Sequence, residues 1–132
     1  MILGGVEICE TRISWRILET GYSSTYYLFR VVFIQGVLRP ARGWSYCEWK
    51  GRASYLDVIG GGKIARRAAW YYSHPRDSYS AIVDHVAIYA GEMDECLIDG
   101  ERVLPQAGGF YGGWITSSVA GPFKGAPGTH GW

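Results

Sequence analysis

Three features are scarce in this 132-residue chain. Lysine occurs three times, against ten arginines. The three cysteines, Cys9, Cys47 and Cys96, are odd in number and widely spaced. No C-x-x-C occurs, and no Cys–His pair has zinc-ligand spacing, which excludes the usual structural zinc site. Reduced thiols of this kind suit a cytoplasmic protein. Long apolar runs are also missing. None approaches the roughly 18 residues of a membrane span, and no basic start leads into an apolar stretch as in an export signal. A soluble protein without a membrane partner is expected.

Net charge is +1. That balance gives no general reason to expect nucleic acid as a partner. What the chain has in quantity is apolar and aromatic side chains, 48% and 15% of the residues. A chain of this length and composition folds as one domain, residues 1–132, and needs neither disulfide nor metal to do so.

The patterning is mostly period-two. Ile13, Trp15 and Ile17 alternate with Arg12, Ser14 and Arg16, the signature of a strand with one apolar face. Continuing the alternation puts Glu19 on that apolar face. A carboxylate there lies at the open end of the strand or lines a cavity with a partner. Residues 26–34 read as a second strand, broken by Gly36, Pro40 and Gly43. Residues 46–59 read as a third, and Gly60-Gly61-Gly62 turns the chain into residues 63–72 as a hairpin. Residues 76–84 carry the best helix pattern. Residues 86–90 and 95–99 are strands, and Asp99-Gly100 is a two-residue hairpin turn, expected to pair 96–98 with 102–104. The fold class expected is mainly β: a single compact domain of antiparallel sheets with one or two short helices. After Pro105 the composition shifts, and the last 28 residues hold eight Gly, two Trp and one Lys.

Two lysines lie in similar settings, Trp49-Lys50-Gly51-Arg52-Ala53 and Phe123-Lys124-Gly125-Ala126-Pro127. Glycine lets backbone approach a ligand, and an ammonium beside aromatics suits a carboxylate or phosphate. The competing reading is a solvated lysine at a β-bulge with its stem over a ring. Glu19 is the candidate general base or ligand hook, against an ordinary Glu after the last core residue. Cys47, near Lys50 and on the face of Trp49, Ala53 and Tyr55, is an activated thiol or a small core residue. His74, His85 and His130 show no triad ordering and read as structural. Ten tyrosines bring hydroxyls that want partners when buried, which an aromatic-lined, partly polar cavity would satisfy. Gly108-Gly109-Phe110-Tyr111-Gly112-Gly113-Trp114 lacks the G-x-x-x-x-G-K-[ST] of a phosphate loop and reads as a loop over the sheet or a flap.

An ordered series of short motifs adds to this. Tyr46-Cys47-Glu48-Trp49-Lys50-Gly51-Arg52-Ala53-x-Tyr55 is followed by Ala68-Ala69-Trp70-x-Tyr72 and His85-Val86-Ala87-x-Tyr89. Phe110-Tyr111-Gly112-Gly113-Trp114 and Gly121-Pro122-Phe123-Lys124-Gly125 complete it, with Leu18-Glu19-Thr20 and Thr25-Tyr26-Tyr27 upstream. The series resembles the bacterial domain of unknown function 427 family over nearly the whole chain. The resemblance implies a β fold close to the tent-like sheets of the Mss-four and methionine sulfoxide reductase B group. It also implies a pocket surrounded by Glu19, Tyr27, Lys50, Gly51, Tyr55 and Trp70. A nucleotidyltransferase label goes with that family. Such chemistry places two metal-binding carboxylates together, and the pairs available here, Asp94-Glu95 and Asp99-x-Glu101, sit at a hairpin.

The expectation is therefore a protein that binds a small polar or anionic molecule. Glu19, Tyr27, Cys47, Lys50, Tyr55, Trp70, Trp114 and Lys124 surround it, and no cofactor or metal takes part. An enzyme using Glu19 in the same pocket, and a homodimeric interaction module, are the alternatives. The aromatic tail is expected to pack on the sheet. Deleting the residues after Pro105 should lower the thermal midpoint by several degrees or more, and an unchanged melting curve would refute that role.

Overall fold

The computed structural model describes residues 1–12, 14–17, 25–47, 50–106 and 112–116. It is mainly β, with antiparallel pairing throughout the described sheets. An N-terminal hairpin joins β1 (Ile2–Leu3) to β2 (Val6–Glu7). Strands β3 (Trp15–Ile17) and β4 (Thr25–Tyr27) pair with Trp15 opposite Tyr27. A meander follows: β5 (Leu38–Cys47), β6 (Gly51–Gly60) and β7 (Lys63–Tyr71), completed by β8 (Val86–Ile88) in the order β5-β6-β7-β8. Leu28 and Val86 exchange backbone hydrogen bonds of 2.9 and 2.8 Å, which fasten the β3–β4 pair to the free edge of β8. Two short pairs finish the described chain: β9 (Leu97–Ile98) with β10 (Glu101–Arg102), and β11 (Leu104–Pro105) with β12 (Trp114–Ile115).

Several boundaries differ from the sequence reading. Residues 26–34 are not one strand; a 3-10 turn over Arg30–Val32 separates the pairing of Leu28 with Val86 from that of Phe33 with Cys9. The strand expected over 46–59 is two strands with a turn between Cys47 and Gly51. The segment 76–84 is a 3-10 helix over Asp77–Ile82, kinked at Tyr79 and without a side-chain cap. The ten-residue stretch between Pro75 and β8 leaves too little length to repay α-helix nucleation. The Asp99-Gly100 turn is present, with both residues at positive φ, but Ile98 faces Glu101, one residue earlier than expected. No helix among the described residues is long and apolar enough to cross a membrane.

Pro40 and Gly43 do not break the chain; they lie inside β5. Between Pro40 and Trp44, β5 advances four residues while β6 advances two, so residues 41–43 bulge. Opposite, β7 advances four residues while β6 goes from Leu56 to Val58, so residues 66–68 bulge as well. The central strand is thus flanked by a bulge on each side. Arg67 sits at φ 52°, a conformation strained for a residue with a Cβ, and its backbone N–H donates to Asp57 Oδ1 at 2.9 Å. Its guanidinium lies 4.2 Å from the centre of the Tyr55 ring and against Gly43 of the other bulge. A Cβ at Gly43 would come within 3.0 Å of that guanidinium.

The sheet buries both faces. Even-numbered residues of β6 and β8, Leu56, Val58, Val86 and Ile88, join Leu3, Ile8, Phe33, Val37, Met93 and Trp114 in one core. Odd-numbered ones, Ala53, Tyr55 and Ala87, join Tyr27, Trp70, Tyr72 and Ile82 in the other. Each fully buried aliphatic side chain contributes about 1.5–3 kcal/mol. The first core is closed by contact between two hairpin turns, where Gly4 meets the backbone of Gly60 and Gly61. Asp94 ties this corner, accepting from Gly5 N–H at 2.9 Å and from Lys63 Nζ at 3.3 Å.

Gly61 and Gly62 separate two effects at one turn. Both have positive φ, but a Cβ on Gly61 would lie 1.8 Å from the Gly4 carbonyl oxygen, whereas one on Gly62 meets nothing within 4 Å. Gly62→Ala should cost about 1 kcal/mol from backbone strain alone. Gly61→Ala should cost clearly more, about 3 kcal/mol or above, because both neighbours are backbone. Urea denaturation reads the difference, and equal losses would show that the turns do not touch.

Candidate functional site

Cross-strand register builds an aromatic row from residues distant in sequence. Tyr55 faces Trp70, and Trp70 faces Ala87. The Leu28–Val86 bridge brings Tyr27 alongside. Tyr27, Tyr55 and Trp70 are all buried. Trp70 stacks on Tyr89 with ring centres 4.5 Å apart, and Tyr27 lies 6.4 Å from Tyr72. The hydroxyls find polar partners. Ser45 Oγ and Tyr55 Oη are 2.8 Å apart, and Tyr55 is in turn hydrogen-bonded to Tyr89. Burial, and then Tyr55, push the Tyr89 phenol up to about 12, only partly offset by Arg67.

Lys50 stands at the end of this face, in the turn between β5 and β6. Only 7% of it is exposed, and its ammonium lies 5.3 Å from the centre of the Tyr79 ring. It is not the solvated lysine that its turn position allowed. The reason is the following glycine. Gly51 has φ 107°, and a Cβ there would press on the His74 carbonyl oxygen at 3.2 Å. Without one, the loop after β7 closes over the turn, and Arg76 N–H donates to the Lys50 carbonyl at 3.0 Å. Cys47 pairs with Gly51 across the turn and packs, half-buried, on the same aromatic cluster.

Of the residues singled out from sequence, Tyr27, Cys47, Lys50, Tyr55 and Trp70 are therefore brought to one face. Glu19 and Lys124 lie outside the described residues. Trp114 is elsewhere. It is buried in the opposite core, stacked on Tyr26 at 5.3 Å, with its indole N–H donating to the Ile88 carbonyl at 2.9 Å. The tail does reach the tyrosine cluster at Gly112, where a Cβ would come within 2.0 Å of the Trp70 ring.

A cavity of about 930 Å³ lies on the Trp114 side. Arg12, Ser14 and Arg16, which in the sequence form only the polar face of a strand, line it with Tyr26, Leu28 and Trp114. Sequence alternation identified that exposed polar face but could not show that it borders a cavity. Tyr46, Arg52 and Trp44 also escaped the sequence reading as surface groups, because their sharing a face depends on the pairing of β5 with β6.

His85 and Asp94 are held by contacts within the fold. His85 is buried, its Nδ1–H donating to the Val83 carbonyl at 2.8 Å and its ring stacked on Phe29 at 4.4 Å. Its Nε2 is buried without a hydrogen-bond partner. Asp94 is committed to Gly5 and Lys63, and the Gly5 N–H holds its carboxyl below the usual range. Among the described residues no group of three His, Cys, Asp or Glu is placed to hold a metal ion.

The thiols divide by burial. Desolvation pushes Cys9 up to about 11 and Cys96 up to about 12, so both are protonated and inert at neutral pH. Cys47 is only half-buried. Thiol titration with a chromogenic disulfide at pH 8 should show one fast thiol, abolished in Cys47→Ser, and two that react only on unfolding. The raised groups have a second consequence. Tyr89, Cys9 and Cys96 favour their neutral forms in the fold, so that contribution is complete below their ordinary values and is lost as pH rises through about 11 to 12. Urea midpoints should fall across that window.

Comparison with known proteins completes the description. A search among curated proteins returned no match. A family model described as "Domain of unknown function (DUF427)" matches residues 1–99, a stretch that takes in the aromatic row and Lys50 but ends before Trp114, and the chain belongs to that family.

Proposed function

We propose that the protein binds a small anionic molecule with a flat apolar body at the tyrosine-lined face. The observation that carries this reading is Lys50: a cation held almost out of solvent, 5.3 Å from an aromatic ring and beside a cluster of Tyr27, Tyr55, Trp70 and Tyr72. A buried ammonium strengthens its attraction for an anion, because little water screens it. The aromatic walls supply area, and the phenols supply directed hydrogen bonds. Cys47 packs on the same cluster as a small side chain. Three free cysteines fit a protein working in the reducing cytoplasm. Glu19, which continues the alternation of Trp15 and Ile17 in the sequence, is the acceptor for a hydroxyl or amino group of the ligand. In the catalytic version of this reading it is the general base.

Thermal-shift screening of aromatic carboxylates and phosphates tests the proposal. A ligand that stabilises the wild type should lose about tenfold or more in affinity in Lys50→Met, which keeps the stem's packing and removes the charge. Turnover of that ligand, abolished by Glu19→Gln with binding retained, selects the catalytic version. Equal shifts in wild type and Lys50→Met would remove Lys50 from the site and the proposal with it.

A further inference from the structure

The net charge of +1 conceals an uneven distribution. Residues 38–76, the meander and its exit, hold eight of the thirteen Lys and Arg but only two of the twelve Asp and Glu. Of those two, Asp57 is buried and accepts the Arg67 N–H. The other, Glu48, lies outside the described residues. The meander is thus a basic unit in an otherwise acidic chain.

One face of it is also aromatic. Trp44 is opposite Ser54, Tyr46 is opposite Arg52, and Ser54 is opposite Tyr71, so all five side chains share a face. Farther along the sheet that face is covered by the first core. At this end it is open: Trp44 is 57% and Tyr46 58% exposed. Such rings on a charged strand edge are uncommon on a surface without a use. Arginines accompany each ring. Arg52 lies 4.7 Å from the Trp44 ring centre and Arg30 lies 4.6 Å from that of Tyr71. Arg76 lies 5.8 Å from the Tyr46 ring centre and donates from Nη2 to its hydroxyl.

We infer that this face binds single-stranded nucleic acid. Rings two residues apart on a strand stand about 7 Å apart, which leaves room for one base on each along an extended strand. Base–aromatic stacking tolerates any sequence because every base has a π-face. Each guanidinium takes one face of its ring and leaves the other to a base; Arg52 and Arg30 point in-plane N–H groups at phosphate oxygens, and Arg76 does so with the N–H groups not given to Tyr46. A duplex hides its base faces and so loses the stacking part. The surface is separate from the tyrosine-lined ligand site, and the inference does not rest on that reading.

Fluorescence anisotropy with short labelled oligo-dT and oligo-rU strands at low salt is the direct test. Binding should saturate at about 10 µM protein, within the range of sequence-independent contacts, and log affinity should fall with log salt at a slope of about −2 for three arginines. Trp44→Ala/Tyr46→Ala should weaken binding about tenfold or more. Circular dichroism and melting confirm that the variant is folded, and Arg52→Gln/Arg30→Gln provides an independent surface change expected to flatten the salt slope. A preference for oligo-dT or for oligo-rU decides between DNA and RNA, and either supports the inference. It is overturned by absence of saturable binding, by full affinity in the folded double-aromatic variant, by equal affinity for a duplex of the same length, or by capture on phosphatidylglycerol vesicles with none on oligonucleotides.

Discussion

The hydrogen bond from the Arg67 backbone to the Asp57 carboxylate organises the sheet. A residue with a side chain is held at positive φ there, and a buried carboxylate is satisfied by the same contact. Each strained element is supported by the other. Because the bulge on β7 lies across β6 from the bulge on β5, the guanidinium can cross the sheet over Tyr55 and settle against Gly43. That crossing fixes Tyr55, and through Tyr55 the hydroxyl chain to Ser45 and Tyr89. Removing the carboxylate would leave an amide unpaired, a bulge unsupported and the aromatic row without its anchor.

One sheet presents two differently covered faces. On the odd face, tyrosines and Lys50 are buried together, with little water to screen a charge. On the even face, the same strands run out from under the first core, and their rings and arginines meet water. The difference is coverage. The 3-10 helix over Asp77–Ile82 closes the odd face with Tyr79 and Ile82, while Trp44 and Tyr46 stay more than half exposed beside Arg52 and Arg76. The edge position of β5 also needs protection from pairing with another chain. Pro40, which lacks an N–H, and the adjacent bulge supply it.

Much of this was legible in the chain. The Gly60–Gly62 and Asp99-Gly100 turns were recognisable because only residues tolerant of positive φ make two-residue hairpins. Tyr27, Lys50, Tyr55 and Trp70 were recognisable as a group by family resemblance, and register explains why they meet. Strand ends were harder to place. Pro40 and Gly43 looked like breaks because their residue types end strands, yet at an edge with a bulge they are accommodated. Trp114 was grouped with the ligand contacts, yet it lies in the opposite core, with its N–H used by the Ile88 carbonyl and its ring at the cavity lined by Arg12 and Arg16.

The sequence by itself determined the fold class, through period-two alternation and turn chemistry, which are local properties of neighbouring residues. It also determined that lysine is rare and that Lys50 precedes a glycine. Whether that lysine is wet or buried was decided only by tertiary structure, since it depends on the loop from His74 to Arg76 closing over Gly51. Only tertiary structure, too, could show that Arg52 and Arg76 stand beside the open rings of the meander. Charge totals carry no information about position, and sheet register is a relation between strands that no single strand encodes.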